Sequence, residues 1–286
     1  MTDDFKLESS VSNYAVFGNP IKHSKSPLIH SLFAKQTGVA LHYQSIEVPA
    51  DKFDDYVSLF VSQGGLGLNI TVPFKEQAYS FCGALTERAE LCGSVNTIRF
   101  DKELNSFGDT TDGQGFINDL KINHQIDVKG KTILILGAGG SVKAILESIC
   151  NQRPYKIVIA NRTVSRAEQL ADKFSGLCNV TACSYSDIEI GPFELIVNGT
   201  SLSLIGELPA ISQSIVDENT FCYDLMYSST STVFMRWAFE SGAAKVMDGL
   251  GMLVEQAAES FLIWHGVKPE TTTMINALRK KNFNYN

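Results

Sequence analysis

No apolar run in this chain is long enough to cross a bilayer. The longest, such as Thr132–Leu136 and Phe261–Trp264, fall far short of the roughly 20 residues that a spanning helix needs. The six cysteines (Cys82, Cys92, Cys150, Cys178, Cys183, Cys222) are scattered and form no C-x-x-C pair. That excludes zinc-finger spacing and a compact disulfide framework, and the expectation is buried, reduced thiols. Positive charge is also in deficit: 24 Lys and Arg face 31 Asp and Glu, a formal net charge of −7. Nucleic acid and anionic membranes are therefore not expected partners. Residues 1–13 are polar, with Asp3 and Asp4 and no apolar stretch of the kind that a secretory signal carries, so a cytoplasmic location is expected. There is no internal repeat and no low-complexity tract. His23, His30, His42, His124 and His265 are isolated, so neither a metal site nor a catalytic histidine is expected.

What the chain does have is 286 residues of ordinary globular composition, long enough for two domains. Strand-like and helix-like segments alternate, which predicts an α/β architecture with mainly parallel sheets. Tyr14–Gly18, Leu41–Val48, Gly67–Thr71, Asn96–Phe100 and Leu104–Gly108 read as strands, with helices from Pro27 and over Phe53–Val61. A second cycle follows with strands Thr132–Leu136, Lys156–Ala160, Val180–Cys183, Leu195–Val197 and Phe221–Leu225. Helical periods cover Ser141–Cys150, Thr163–Phe174 and Gly249–His265. Hinges are expected near Thr111–Gly113 and Leu250–Met252. They divide the chain into a first domain, 1–112 completed by 253–286, and a second domain, 113–252.

Gly137-Ala138-Gly139-Gly140 stands between a strand and a helix, the context in which a glycine turn can take a dinucleotide pyrophosphate on the helix N-terminus. The next strand ends in Asn161-Arg162-Thr163, with Arg166 one turn on, about where NAD binders carry an acidic residue for the ribose 2′-hydroxyl. A carboxylate there would repel a 2′-phosphate, whereas arginine forks suit one. NADP is therefore the expected cofactor of a Rossmann-like domain. The third position of the usual glycine pattern falls on Val142, which predicts looser packing of helix on strand.

Four polar clusters sit past strands or at helix starts in the first half. They are Ser24-Lys25-Ser26-Pro27, Asn69-x-Thr71-x-Pro73-Phe74-Lys75, Ser94-Val95-Asn96-Thr97 and Asp109-Thr110-Thr111-Asp112-Gly113. Each alone reads as a turn or cap: Ser26 before Pro27 suits a helix N-cap, Lys75 a solvated lysine, Asp112 an N-cap. Open α/β sheets bind ligands at the carboxyl ends of their strands, so the clusters can converge.

In order, and with Phe17-Gly18-Asn19-Pro20, Asn198-x-Thr200-Ser201, Tyr223-Asp224 and Asp248-Gly249-Leu250-Gly251-Met252-Leu253 followed by Gln256, these motifs resemble the shikimate dehydrogenase family from about Tyr14 to at least His265. The resemblance implies a reversible, NADP-dependent reduction of 3-dehydroshikimate to shikimate in the shikimate pathway of aromatic amino-acid biosynthesis. It implies Lys75 and Asp112 as the catalytic pair, with Ser24 and Ser26 holding the substrate carboxylate. Thr71, Asn96, Tyr227 and Gln256 would line the substrate site. Cofactor contacts would come from Gly137, Ala138, Gly139, Gly140, Ser141, Asn161, Arg162, Thr163, Arg166, Thr200, Leu225, Gly249 and Met252. The implied enzyme is a monomer or homodimer. A quinate/shikimate dehydrogenase with relaxed cofactor use, or a non-catalytic sensor on the same fold, are the alternatives. The chain departs from common family choices at Val142, Lys143, Ser203 and Leu225, all on the cofactor side. Loss of a glycine at Ser203 is expected to alter a loop there.

Overall fold

The computed structural model describes residues 7–8, 11–189, 191 and 193–283, the side chains of 281–283 excepted. The chain divides into two compact units. One runs to Gly115 and takes in Val254–Met274; the other holds Phe116–Leu253 and the chain from Ile275. The second unit thus claims part of 253–286, all of which the sequence placed with the first domain. Arg279 donates to Asp248 of the second unit at 2.7 Å.

The first unit is built on six strands: β1 (Ser12–Gly18), β2 (Leu41–Glu47), β3 (Gly65–Ile70), β4 (Ala84–Leu85), β5 (Thr97–Phe100) and β6 (Ser106–Asp109). Helices α1 (Ser26–Thr37), α2 (Phe53–Ser62), α3 (Lys75–Phe81) and α4 (Glu87–Cys92) connect them, and α5 (Asp112–Asn118) leads out. The sheet order is β2-β1-β3-β5-β6-β4. The sheet is mainly parallel, as expected, with one exception: β5 runs antiparallel to both β3 and β6. A short connection between β5 and β6 permits only a hairpin, because a parallel partner needs a crossover of a dozen residues or more. Strand β1 is apolar on both faces. Ala15 and Phe17 enter a core with Phe53, Phe60 and Phe74, while Tyr14 and Val16 pack with Ile21 and Tyr43. A helical layer on each side of the sheet follows.

In the second unit β7 (Thr132–Leu136), β8 (Lys156–Ala160), β9 (Val180–Cys183), β10 (Leu195–Asn198), β11 (Phe221–Asp224) and β12 (Lys245–Asp248) form a sheet in the order β12-β11-β10-β7-β8-β9. Every pairing is parallel, and the order reverses about β7, as in doubly wound dinucleotide-binding sheets. Helices α6 (Gly140–Cys150), α7 (Val164–Phe174) and α8 (Val233–Glu240) follow β7, β8 and β11, with α9 (Leu250–His265) and α10 (Thr272–Phe283) closing the chain. A π-helical turn at Asp119–Asn123 extends α5.

The thiols are not all reduced. Cys150, at the end of α6, and Cys178, past α7, are joined with their Cα atoms 5.4 Å apart, inside the span that a disulfide bridges. Their separation of 28 residues carries no motif that the sequence could announce. Cys82, Cys92, Cys183 and Cys222 are free.

Candidate active site

The topology of the first sheet gathers chain at one edge. Register pairs Asn69 with Thr97 and Thr97 with Asp109, so residues after β1, β3 and β6 and residues before the antiparallel β5 share that edge. They are Asn19, Thr71, Thr110-Thr111-Asp112 and Asn96. Lys75 opens α3, and its carbonyl accepts from the Val95 amide at 2.9 Å. Asp112 opens α5. The Lys75 Nζ donates to Asp112 Oδ2 at 2.5 Å, with the lysine side chain 27% exposed and the aspartate 11%. The ammonium therefore reaches solvent, or a ligand, while its carboxylate partner is shielded.

One backbone donor fixes how Asn96 stands beside this pair. The Thr111 amide donates to Asn96 Oδ1 at 2.9 Å, and since a main-chain N–H cannot accept, the side-chain amide must present Nδ2 on its other side. From there Nδ2 donates to Asp112 Oδ1 at 2.9 Å, to Thr111 Oγ1 at 3.0 Å and toward Gln256 Oε1 at 3.3 Å. Asp112 is thus held through both oxygens, one by Lys75 and one by Asn96. Behind Asn96 the buried Thr97, Thr111, Ser260 and Asn69 continue the network. Full satisfaction is what makes such a buried polar cluster tolerable.

Ser26 is not a capping residue. Lys25 occupies the N-cap position of α1 without a side-chain bond, and the Ser24 hydroxyl accepts from the Ser26 amide at 3.3 Å. Thr71 closes on the same edge, its amide donating to the Phe17 carbonyl at 2.9 Å.

In the second sheet the registers align Leu136, Ala160, Asn198, Asp224 and Asp248 in one row at the carboxyl ends. One residue further on in each strand stand Gly137, Asn161, Gly199, Leu225 and Gly249, four of them expected cofactor positions. Gly137 has φ +101, a conformation open to glycine, and faces Gly199 and Thr200. A Cβ added at Gly139 or Gly140 would meet nothing within 4 Å, and no side chain caps α6. Bare main chain at a helix N-terminus fits a pyrophosphate. Ala138 is half-buried and Ser141 exposed on the same turn, and Arg162, Thr163 and Arg166 are exposed at the start of α7. Asn161 donates to the Thr163 carbonyl at 2.8 Å, bending the chain so that this segment leaves the sheet. Tyr227 is half-buried just after β11, burial raising its pKa, and Met252 is half-buried in the first turn of α9.

Comparison with known proteins fits this layout. Family models match residues 16–98 (shikimate dehydrogenase substrate binding domain), 120–214 (shikimate / quinate 5-dehydrogenase) and 249–279 (shikimate 5′-dehydrogenase C-terminal domain). The shikimate dehydrogenase (NADP(+)) of Marinobacter nauticus is 51% identical over 270 residues, covering 93% of this chain and 98% of its own. The chain belongs to the shikimate dehydrogenase family. The shikimate dehydrogenase (NADP(+)) of Hahella chejuensis is 48% identical over 93% of this chain and 98% of its own. The structure of shikimate 5-dehydrogenase from Thermus thermophilus, in complex with NADP(H) and shikimate, superposes with a TM-score of 0.83 at 30% identity, covering 94% of this chain and 99% of that one.

Against that shikimate dehydrogenase background the departures on the cofactor side acquire physical reasons. A Cβ at Gly199 would lie 2.3 Å from Val142 Cγ2. The valine therefore fills the space that glycine leaves, and the expected loosening of α6 on the sheet does not occur; Val142 is fully buried. Ser203 does not loosen its loop. Its hydroxyl donates to Asp224 Oδ2 at 2.8 Å and accepts from Asn198 Nδ2 at 3.2 Å. Asp224 also accepts from Thr232 at 2.7 Å and from Asn198 at 3.0 Å. Burial raises the Asp224 pKa from its ordinary value, against these bonds, which lower it. Tyr43, Ser260 and Gly199 carry no signal in the sequence that marks them for these places. Strand alternation could have marked Tyr43 as buried; nothing in the chain marks its hydroxyl.

Proposed function

We propose that this chain is an NADP-dependent shikimate dehydrogenase that interconverts 3-dehydroshikimate and shikimate. The observation that carries the reading is the Lys75–Asp112 contact of 2.5 Å, with Asn96 on the second carboxylate oxygen. Reduction of a ketone needs a hydride on carbon and a proton on oxygen. When bound, the nicotinamide cofactor supplies the hydride. The Lys75 ammonium donates the proton and stabilises the developing alkoxide. Asp112 orients that ammonium, and its remaining acceptor capacity suits a ring hydroxyl. Ser24 and Ser26 anchor the substrate carboxylate, and Thr71, Asn96, Gln256 and Tyr227 contact the substrate.

Gly137, Ala138, Gly139, Gly140 and Ser141 hold the pyrophosphate. Arg162 and Arg166, with Asn161 and Thr163, read the 2′-phosphate, and Thr200, Leu225, Gly249 and Met252 flank the nicotinamide. The first unit is the substrate domain and the second unit is the cofactor domain. The enzyme works in the cytoplasm as a monomer or homodimer with neither nucleic acid nor membrane as partner. A net charge of −7 speaks against nucleic acid as a partner, and no described helix is long and apolar enough to cross a membrane.

An absorbance assay at the NADPH band, with shikimate or quinate and with NADP or NAD, tests the reading. Shikimate with NADP is expected to be the fastest combination. Faster oxidation of quinate with NAD, or no NADP-coupled turnover at all, would refute it.

A further inference from the structure

In the second unit, the loop that follows β10 is tied to the sheet at both ends by one carboxylate. Asn198 and Asp224 lie side by side in the register of β10 and β11, and Asp224 is fully buried. Its Oδ1 accepts from Asn198 Nδ2 at 3.0 Å and from the Met226 amide at 3.1 Å. Its Oδ2 accepts from Ser203 Oγ at 2.8 Å and from Thr232 Oγ1 at 2.7 Å. The sense of each bond is fixed. The Thr200 amide donates to Asn198 Oδ1 at 3.1 Å, so Asn198 must turn Nδ2 to the carboxylate. Ser203 Oγ accepts from that Nδ2 at 3.2 Å, and Thr232 Oγ1 accepts from the Met235 amide at 3.1 Å. Each hydroxyl therefore has its own proton left for Asp224. The start of the loop reaches the carboxylate through Asn198, which also accepts from Thr200 Oγ1 at 2.8 Å, and the end reaches it through Ser203. Leu204 and Ile205, just beyond, are exposed, so this end of the loop is held by the Ser203 hydroxyl more than by burial.

We propose that Ser203 is a positioning residue for the nicotinamide end of the cofactor, fixing the loop of Gly199, Thr200 and Ser201 through the Asp224 carboxylate. The inference rests on the reading of Thr200 as a residue that flanks the nicotinamide, and deepens it. Hydride transfer is sensitive to alignment, and a misplacement of about 1 Å can cost roughly 10²-fold. A hydrogen bond to a buried carboxylate is stronger and more directional than one between neutral groups, which suits it to hold Thr200 in place. Thr232 bonds the same carboxylate oxygen but stands at the start of α8, outside the loop. Removing its hydroxyl takes as much from Asp224 without releasing the loop.

The test is Ser203→Ala, beside Ser203→Thr, which keeps the hydroxyl, and Thr232→Ala. Affinity is measured by titration with NADP and with 2′-phospho-ADP-ribose, which is NADP without its nicotinamide, and kcat is measured on shikimate. For Ser203→Ala, NADP affinity is expected to fall about 5- to 30-fold, within what one hydrogen bond to a charged group supports, and kcat about 10-fold or more. Affinity for the fragment is expected to change by less than about 2-fold. Ser203→Thr should restore both quantities. Thr232→Ala should lower the thermal midpoint through the lost cap and leave both affinities within about 2-fold of the parent. Equal losses on NADP and on the fragment would mean a purely structural role and overturn the proposal. So would no loss on either, or a Thr232→Ala protein that loses NADP as Ser203→Ala does. Thr200→Leu separates the two ideas, because a larger side chain there should obstruct the nicotinamide alone. If it leaves the ratio of the two affinities unchanged, the reading of Thr200 fails, and the proposal with it. If it changes that ratio while Ser203→Ala does not, only the role of Ser203 falls.

Discussion

Gly199→Ala adds one methyl group at the place where the structure has none to spare. The new Cβ would stand 2.3 Å from Val142 Cγ2, 3.3 Å from the Leu136 carbonyl oxygen and 3.5 Å from Leu225 Cδ1. The first contact is more than 1 Å inside the roughly 3.5–4.0 Å carbon–carbon optimum. Val142 has no easy escape, because a β-branched side chain in a helix is confined to about one rotamer and this one is fully buried. The start of α6 must therefore move, and with it the turn at Gly139 and Gly140. Overpacking of this kind costs about 1–3 kcal/mol, which lowers the thermal midpoint by about 2–10 °C in a protein of this size. On the proposed assignment of that helix start to the pyrophosphate, the KM for NADP should rise while that for shikimate stays. Val142→Ala alone should cost about 1–2 kcal/mol through lost burial, and the double variant should be less damaged than the sum. The two changes meet the same space, so a coupling of about 1–3 kcal/mol is expected. Thermal melts and NADP titrations of the four proteins measure it. Additive costs, or a Gly199→Ala protein within about 0.5 kcal/mol of the parent, would mean that Val142 does not occupy the space beside Gly199.

Lys75→Ala should lower kcat by about 10²–10⁴-fold, the usual range for a positioned acid/base, with NADP binding nearly intact; an unchanged rate would remove Lys75 from the chemistry. Replacing Arg162 and Arg166 with Ala should weaken NADPH far more than NADH, by roughly one to two decades per arginine; equal losses in cofactor titrations would mean that they do not read the 2′-phosphate. Oxidised protein should show four titratable thiols in denaturant instead of six, and reduction should lower stability by about 3–4 kcal/mol for a loop of this length; Cys150→Ser should abolish the difference. Asp224 has a raised pKa in the fold, so its protonation favours the native state. Its contribution is fully present below the unfolded-state value and is lost as pH rises through the folded one. Melts from acid to neutral pH should show a shallower decline in Asp224→Asn than in the parent, and parallel curves would contradict this.

The legible parts of the fold were those in which apolar period and turn chemistry agree. Strands β7, β8 and β9 and the glycine turn into α6 fall where the sequence puts them. Short or polar elements were not legible: Lys245–Asp248, Ala84–Leu85 and the π turn at Asp119–Asn123 have too few apolar positions to show a period. Among site residues, Lys75, Asp112, Asn96 and Gln256 meet in space though 181 positions separate the first from the last, and only motif order linked them beforehand. Tyr43 and Ser260 stayed silent because a hydroxyl aimed inward leaves no trace in composition or spacing. Val142 and Gly199 each looked like a loss when read alone, and only packing shows that one fills the other.

The bare glycines at the start of α6 bear on how this enzyme can change. Main-chain N–H groups are common to every residue except proline, so most side-chain substitutions leave the pyrophosphate donors in place. The arginines of the next strand–helix turn, by contrast, are exposed and replaceable. On the proposed assignment, dinucleotide binding and the choice between dinucleotides would be carried by separable parts of the chain. A lineage, or an engineer, would then exchange one cofactor for the other through Arg162 and Arg166 without passing through a form that binds neither.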